Sequence, residues 1–171
     1  MKKIFLFTIM MFSITGSVFA GETVIQKIYY DTGELKCEIP VKNNVKHGVV
    51  RCYYKSGALQ VQFTMNNNKE DGITRFYYEN GKLKSEAPFK NGKKEGTVKY
   101  YYENGAFSSE TQYKNNKRNG KEIKYNRDGS IFAIVINKDD NVISGECGNG
   151  RKWNNAEIHN WNNDLSVSCS Q

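Results

Sequence analysis

Long aliphatic runs are missing from this chain after residue 20, so no later segment reads as a membrane-spanning helix. Proline is nearly absent, with two residues in 171. Histidine is equally scarce: His47 and His159 are the only two. His47 lies in a turn-forming stretch between Lys46 and Gly48. His159 is two residues from Glu157, a spacing that sends them to different sides of a helix. Neither has a partner set suited to zinc. There is no G-x-S-x-G, P-loop or paired-carboxylate signature. Asp139-Asp140-Asn141 lacks the spacing and closing Glu of a calcium loop. No catalytic, cofactor-binding or metal residue can be nominated, and the expectation is a non-enzyme without a cofactor.

What is abundant points elsewhere. The chain is 38% hydrophobic yet holds eleven Tyr, nine Phe and fifteen Gly, with a mean hydropathy of −0.70. Such a composition suits many short strands joined by tight turns. The first twenty residues differ. Lys2 and Lys3 precede an apolar stretch, Ile4 to Ile14, and Val18-Phe19-Ala20 supplies small residues at cleavage spacing, which reads as a secretory signal peptide cut after Ala20. Losing Lys2 and Lys3 would lower the formal charge from +7 to +5. That mild basicity permits attraction to anionic surfaces but does not argue for nucleic acid. Export places the protein in the periplasm or outside the cell, and there the four Cys suggest two disulfides.

The rest is periodic. Gly33, Gly57, Gly81, Gly105 and Gly129 are each 24 residues apart, as are Gly48, Gly72, Gly96 and Gly120. Tyr53, Tyr77, Tyr101 and Tyr125 keep that step, and so do Leu35, Leu59, Leu83, Phe107 and Ile131. Asn43, Asn67, Asn91 and Asn115 follow, with Asp139 as a last echo. A fixed period of this size marks a repeat architecture. Within one copy, Leu59, Val61, Phe63 and Met65 alternate with polar residues, the period of a half-buried strand. Asn66 to Gly72 is a run of turn formers, and residues 73–78 form a second strand. Glu79-Asn80-Gly81 fits a three-residue hairpin loop whose last residue is left-handed. Each repeat is therefore a β-hairpin that needs its neighbours for a core. About ten strands between residues 23 and 137, at roughly 4.8 Å each, make a sheet about 43 Å long. The Leu35 series predicts an apolar ladder along one face, with Tyr pairs stacked on their neighbours.

Paired Tyr, two residues, Gly, then Leu, a Lys-Asn-Gly-Lys turn and a further Gly, as in Tyr77 to Gly96, resembles the MORN-repeat variant found in bacterial proteins. The resemblance covers residues 29–130. It implies an elongated sheet of tandem hairpins acting as a scaffold. Relatives include lipid-binding scaffolds, antitoxin-like proteins and secreted proteins linked to host contact. The last copy departs from the pattern, with Ile123 at the basic place and Lys124 at the apolar one, as suits a terminal repeat.

Cys37 and Cys52 are placed to face each other across a hairpin centred between Asn44 and Val45. Cys147 and Cys169 bracket the tail. Four Cys allow three connectivities. A linear array keeps its ends apart, which favours 37–52 with 147–169, the latter contributing on the order of 3 kcal/mol in the chain-entropy model. In the tail, residues 155–161 read as a short helix capped by Asn154 or Asn155, with Ile158, Trp161 and Leu165 on one face. It is either a cap over the last strand's open edge or a binding module presenting Trp153 and Trp161.

Arg51, Arg75 and Lys99 also repeat at 24, alternating with Cys52, Phe76 and Tyr100, and Tyr53, Tyr77 and Tyr101 share their side. This basic–aromatic face either receives anionic groups or lays cations over rings on a solvated surface. Together these features describe an all-β protein: an elongated single-layer antiparallel sheet of 24-residue MORN-like hairpins with a small disulfide-closed C-terminal cap containing a short helix. The divisions are 1–20 signal peptide, 21–137 repeats and 138–171 cap. The expected work is protein–protein interaction with an unidentified partner. The alternatives are binding of anionic lipid headgroups or acidic glycans, and an antitoxin-like role. The oligomeric state is open, with an open sheet edge near residues 23–30 that could pair with a second copy or a partner strand.

Overall fold

The computed structural model describes residues 21–163 and 167–169. The expected signal peptide, residues 1–20, and Leu165 lie outside these residues. The strands are β1 (Thr23–Tyr29), β2 (Leu35–Lys42), β3 (Val45–Lys46), β4 (Gly48–Tyr53), β5 (Leu59–Asn66), β6 (Lys69–Glu70), β7 (Gly72–Tyr77), β8 (Leu83–Lys90), β9 (Lys93–Lys94), β10 (Gly96–Tyr101), β11 (Phe107–Lys114), β12 (Lys117–Tyr125), β13 (Ile131–Lys138) and β14 (Asn141–Cys147), followed by one helix, α1 (Asn155–Asn162). They form a single antiparallel sheet in the order β1-β2-β4-β5-β7-β8-β10-β11-β12-β13-β14, with β3, β6 and β9 paired to β2, β5 and β8. Counted with the strand that follows each short piece, the ten expected strands are present, and β14 adds one more to the same sheet beyond residue 137.

Two kinds of turn alternate. At the three-residue loops, Tyr78 donates its N–H to the Lys82 carbonyl and accepts from the Gly81 N–H, with Gly81 at φ 82°. Tyr30, Tyr54, Tyr102 and Asn126 make the same pair of bonds. The other turns are tighter than the turn-former run suggests. Asn67 and Asn68 both have positive φ (50° and 63°), the geometry of a two-residue hairpin turn, and Asn43-Asn44, Asn115-Asn116 and Asp139-Asp140 repeat it. Asx side chains tolerate that left-handed backbone, so the chain reverses there at once. The rest of the run becomes the short strand β6 and then a break at Asp71-Gly72. The break takes up residues on one strand only: Val41 pairs with Lys46, but Glu38 pairs with Arg51. The hairpin centre inferred from Cys37 and Cys52 is therefore shifted from the true turn at Asn43-Asn44.

One face carries the buried row. Ile39, Val50, Thr74, Ala87, Val98, Thr111, Glu122 and Val135 are all buried and follow one another across the sheet, with half-buried Phe63 filling the β5 place between Val50 and Thr74. The row mixes methyls with hydroxyls, so the repeat region holds little oily core, and side-chain packing across neighbouring strands stabilises it. The Cys37–Cys52 disulfide bridges β2 and β4 on this face. A denser cluster closes the C-terminal end: Ala133, Val135, Val142, Cys147, Trp153 and Val167, with Ile158 and Trp161 packed against it.

Candidate functional site: a tyrosine-railed trough

The two faces differ in charge. On the face away from the buried row, Arg51, Arg75 and Lys99 do come onto one side, as their spacing predicts. Their cross-strand neighbours, however, are acidic or amide. The pairs run Lys27↔Glu38, Glu38↔Arg51, Arg51↔Gln62, Gln62↔Arg75, Arg75↔Glu86, Glu86↔Lys99 and Lys99↔Glu110. Glu86 stands 3.8 Å from Arg75 Nε and 3.5 Å from Lys99 Nζ. Tyr53 donates its hydroxyl to Glu38 Oε2 at 3.0 Å, and burial followed by that bond raises its pKa. The expected basic–aromatic ladder is thus an alternating charge ladder. Positions 38, 62, 86 and 110 read Glu, Gln, Glu and Glu at the same step of 24, a signal that the basic series overshadowed. Tyr101, Phe107 and Tyr125 pack together at centroid distances of 5.4 and 5.0 Å, while Ile131 of the expected apolar ladder is exposed.

The opposite face is hollowed. Its rail is the second Tyr of each pair. Tyr30, Tyr54, Tyr78 and Tyr102 each donate a hydroxyl to the carbonyl of Tyr53, Tyr77, Tyr101 and Tyr125, at 2.7 to 2.8 Å. Each rung spans one repeat, so the Tyr pair splits: the first ring serves the charge-ladder face and the second staples its own repeat to the next. Between these rungs lie two hollows. One, of ≈ 420 Å³, is bounded by Tyr54, Val61, Phe76, Lys84, Ala87 and Tyr100. The other, of ≈ 550 Å³, is bounded by Tyr78, Tyr100, Tyr102, Tyr113, Arg118 and Lys124. Lys84 and Tyr100 line both, so they form one trough.

Cations dominate the trough. Lys84 Nζ lies 5.5 Å from the Tyr78 ring centre and Lys94 Nζ 5.2 Å from that of Tyr113. Glu122 is the one carboxylate lining either hollow. It is buried, accepts from Asn137 Nδ2 at 3.2 Å, and has Arg118 at 3.8 Å and Lys124 at 3.9 Å. Burial pushes the Tyr113 hydroxyl up to about 12, helped by Tyr100 beside it. It therefore stays a neutral donor at ordinary pH. The sequence reading missed Tyr54, Tyr78, Tyr102 and this cationic set, because their shared face depends on how the chain passes each three-residue loop.

The tail has another role for its tryptophans than exposed contact. Trp153 is buried at 7% exposure, and its indole donates to Cys147 Sγ at 3.3 Å. It lies over Gly145, where any Cβ would come within 2.2 Å of its ring. Trp161 packs on it at 4.7 Å and carries Lys124 Nζ at 4.0 Å from its ring centre. Asn154 caps α1 by accepting from the Glu157 N–H at 2.9 Å, and Glu157 Oε2 accepts from the Asn154 N–H at 2.9 Å. Arg151 holds Glu157 at 2.9 Å and the Ser168 carbonyl at 2.8 Å. The Cys147–Cys169 disulfide closes the module. Among the described residues, no three His, Cys, Asp or Glu come together as a metal site.

A family model described as MORN repeat variant matches residues 22–43, 46–67, 70–91 and 94–115. The chain belongs to this family. Each matched block of the MORN repeat variant begins before a three-residue loop and ends at an Asn of the next tight turn, so the family unit is the hairpin built on that loop. No curated protein matches the chain. Among solved structures, one similar chain belongs to the crystal structure of accessory secretory protein 1,2 and 3 in Streptococcus pneumoniae, at TM-score 0.33 and 13% identity. The alignment covers 66% of this chain and 19% of that one, so this protein spans under a fifth of that chain's length. MORN repeats of this type are repeat scaffolds for protein or membrane interaction.

Proposed function

We propose that this protein is an exported, non-catalytic scaffold whose trough receives a segment of a protein partner in the periplasm or at the cell surface. The observation that carries the reading is the asymmetry of the faces. On one, Arg51, Arg75 and Lys99 alternate with Glu38, Glu86 and Glu110 in a ladder. On the other, tyrosines and the cations Lys84, Lys94, Arg118 and Lys124 surround an open trough with one buried carboxylate. Aromatic and cationic side chains around a concavity suit an extended segment bearing carboxylates and apolar anchors. Export is supported by the leader-like residues 1–20 and by the two disulfides. No helix among the described residues is long and apolar enough to cross a membrane.

The cationic trough also favours a second reading, an anionic lipid headgroup or acidic glycan as the ligand. A neutralised secreted toxin, the antitoxin-like role, is one form the protein partner could take. In-cell crosslinking of the tagged chain separates these readings. A single protein captured by the wild type and by Arg75→Glu, but lost with Lys84→Glu and Lys124→Glu, supports the trough scaffold. Recovery of lipid or glycan alone, lost steeply with salt, replaces it with the second reading. Capture that ignores both trough variants removes the trough from the function.

A further inference from the structure

The two ends of the sheet are unlike. At β14 the chain's own tail occupies the edge. Trp153 donates its N–H to the Gly145 carbonyl at 2.9 Å, Cys147 donates its own to Arg151 at 2.9 Å, and Asn162 bonds both backbone groups of Val142. At β1 nothing among the described residues covers the edge. Tyr30 donates its N–H to Glu34 and accepts from Gly33, so its polar groups point into the hairpin. Alternation along the strand then turns the N–H and C=O groups of Thr23, Ile25, Lys27 and Tyr29 outward. The repeat gives the same orientation independently. Tyr53, Tyr77, Tyr101 and Tyr125, the counterparts of Tyr29, each turn a carbonyl toward the preceding repeat, where a Tyr hydroxyl binds it. All seven residues of β1 are exposed, with Val24, Ile25, Ile28 and Tyr29 between 40% and 55%.

We propose that this edge is a self-association site, at which two copies join β1 to β1 antiparallel about a two-fold axis and their sheets become one. A second copy fits for three reasons. The β14 edge is already filled, so head-to-tail growth is blocked, and an open edge meeting its own kind closes at two. The strand also contains a self-complementary register. With Gln26 opposite Gln26 of the other copy, every residue of Thr23–Tyr29 is paired. Thr23 meets Tyr29 and Ile25 meets Lys27 through the outward-pointing backbone groups, while Val24 meets Ile28 on the trough side. Finally, this register sets Lys27 against Ile25. An axis through Lys27 would oppose like charges, and an axis through Ile25 would set Ile28 and Tyr29 against Glu22 and Gly21, outside the strand. The axis is perpendicular to the sheet, so both troughs open on the same side.

The test uses the full chain, expressed with residues 1–20 in place and purified in the form the cell accumulates. Sedimentation equilibrium is expected to show a reversible dimer, and a monomer at about 100 μM would overturn the proposal. Ile25→Pro removes an outward N–H and no bond to β2, so the fold should survive on an edge strand. Symmetry loses that bond twice, and the dissociation constant should rise about 30-fold with an unchanged circular dichroism spectrum. A dimer as tight as wild type would overturn it. Should Ile25→Pro fail to fold, Gln26→Cys decides independently. Gln26 sits at a non-hydrogen-bonded pair, where opposing side chains are closest, so oxidation should yield a disulfide-linked dimer, while Thr23→Cys should not. A dimer in which Gln26→Cys resists crosslinking, or Thr23→Cys crosslinks instead, would sink the register and with it the proposal.

Discussion

Asn162 holds Val142 as a neighbouring strand would. The Val142 N–H donates to Asn162 Oδ1 at 2.7 Å, and Asn162 Nδ2 donates to the Val142 carbonyl at 3.1 Å. The last residue of α1 therefore closes the sheet edge with one side-chain amide. Asn162→Ala should leave both backbone groups without these partners and destabilise the protein by about 1–3 kcal/mol. Urea unfolding measures the loss. Amide exchange at Val142 should speed up more than at Val98, which is buried in the repeats.

The tyrosine rungs predict graded, local losses. Tyr78→Phe keeps the ring and removes the bond to the Tyr101 carbonyl. The expected cost is about 1 kcal/mol. Tyr54→Phe and Tyr102→Phe act one repeat away on either side, so their losses should add to within about 0.5 kcal/mol. Strong non-additivity in denaturant midpoints would show that the rungs act as one unit.

The two disulfides should separate by region. Replacing Cys147 and Cys169 by Ser should cost about 2–4 kcal/mol and free the tail. Limited proteolysis is then expected to cut between residues 148 and 169 while the hairpins persist. Replacing Cys37 and Cys52 should instead loosen the β2–β4 pairing, with first cuts toward the N-terminal hairpins.

Acid should release the tail before the repeats. The hydrogen bond from Arg151, and next that from the Asn154 N–H, hold the Glu157 carboxyl below its ordinary value. Its contribution is therefore present above the ordinary Glu range and is lost as pH falls through the lowered folded value. Both tryptophans of the chain, Trp153 and Trp161, lie in this module, so their fluorescence reports it. An acid fluorescence transition is expected ahead of the loss of strand signal, and Glu157→Gln should abolish its pH dependence.

Alkali should act on the trough. Tyr113 is pushed up to about 12 by burial and by Tyr100. A raised Tyr contributes stability in full below its unfolded pKa of about 10 and loses it as pH climbs toward the folded value. Spectrophotometric titration should show a late tyrosinate step that vanishes in Tyr113→Phe.

The period revealed the hairpins and the three-residue loops, because each is a local rule repeated at fixed spacing, while the disulfide pairings 37–52 and 147–169 followed from the two ends of a linear array lying apart. The sequence offered Asn154 or Asn155 as the helix cap, and Asn154 takes the place, with Glu157 three residues later completing the box. The site was harder to read. The alternation of Arg51, Arg75 and Lys99 with Cys52, Phe76 and Tyr100 placed the basic series on one face. Arg51↔Gln62, Arg75↔Glu86 and Lys99↔Glu110 lie across the three-residue loops, whereas Glu38↔Arg51, Gln62↔Arg75 and Glu86↔Lys99 depend on the two-residue break after each Asx turn. Trp153 was offered, with Trp161, as a contact of a binding module, but Gly145 on the facing strand makes room for its ring.

Counting each short piece with the strand that follows it, every strand in the sheet pairs only with its neighbours in sequence. No early segment must wait for a distant one. Each hairpin can dock on the hairpin made just before it, so order can advance along the chain at the pace of synthesis. The final step is then α1 settling over β14, a seal on a structure already assembled.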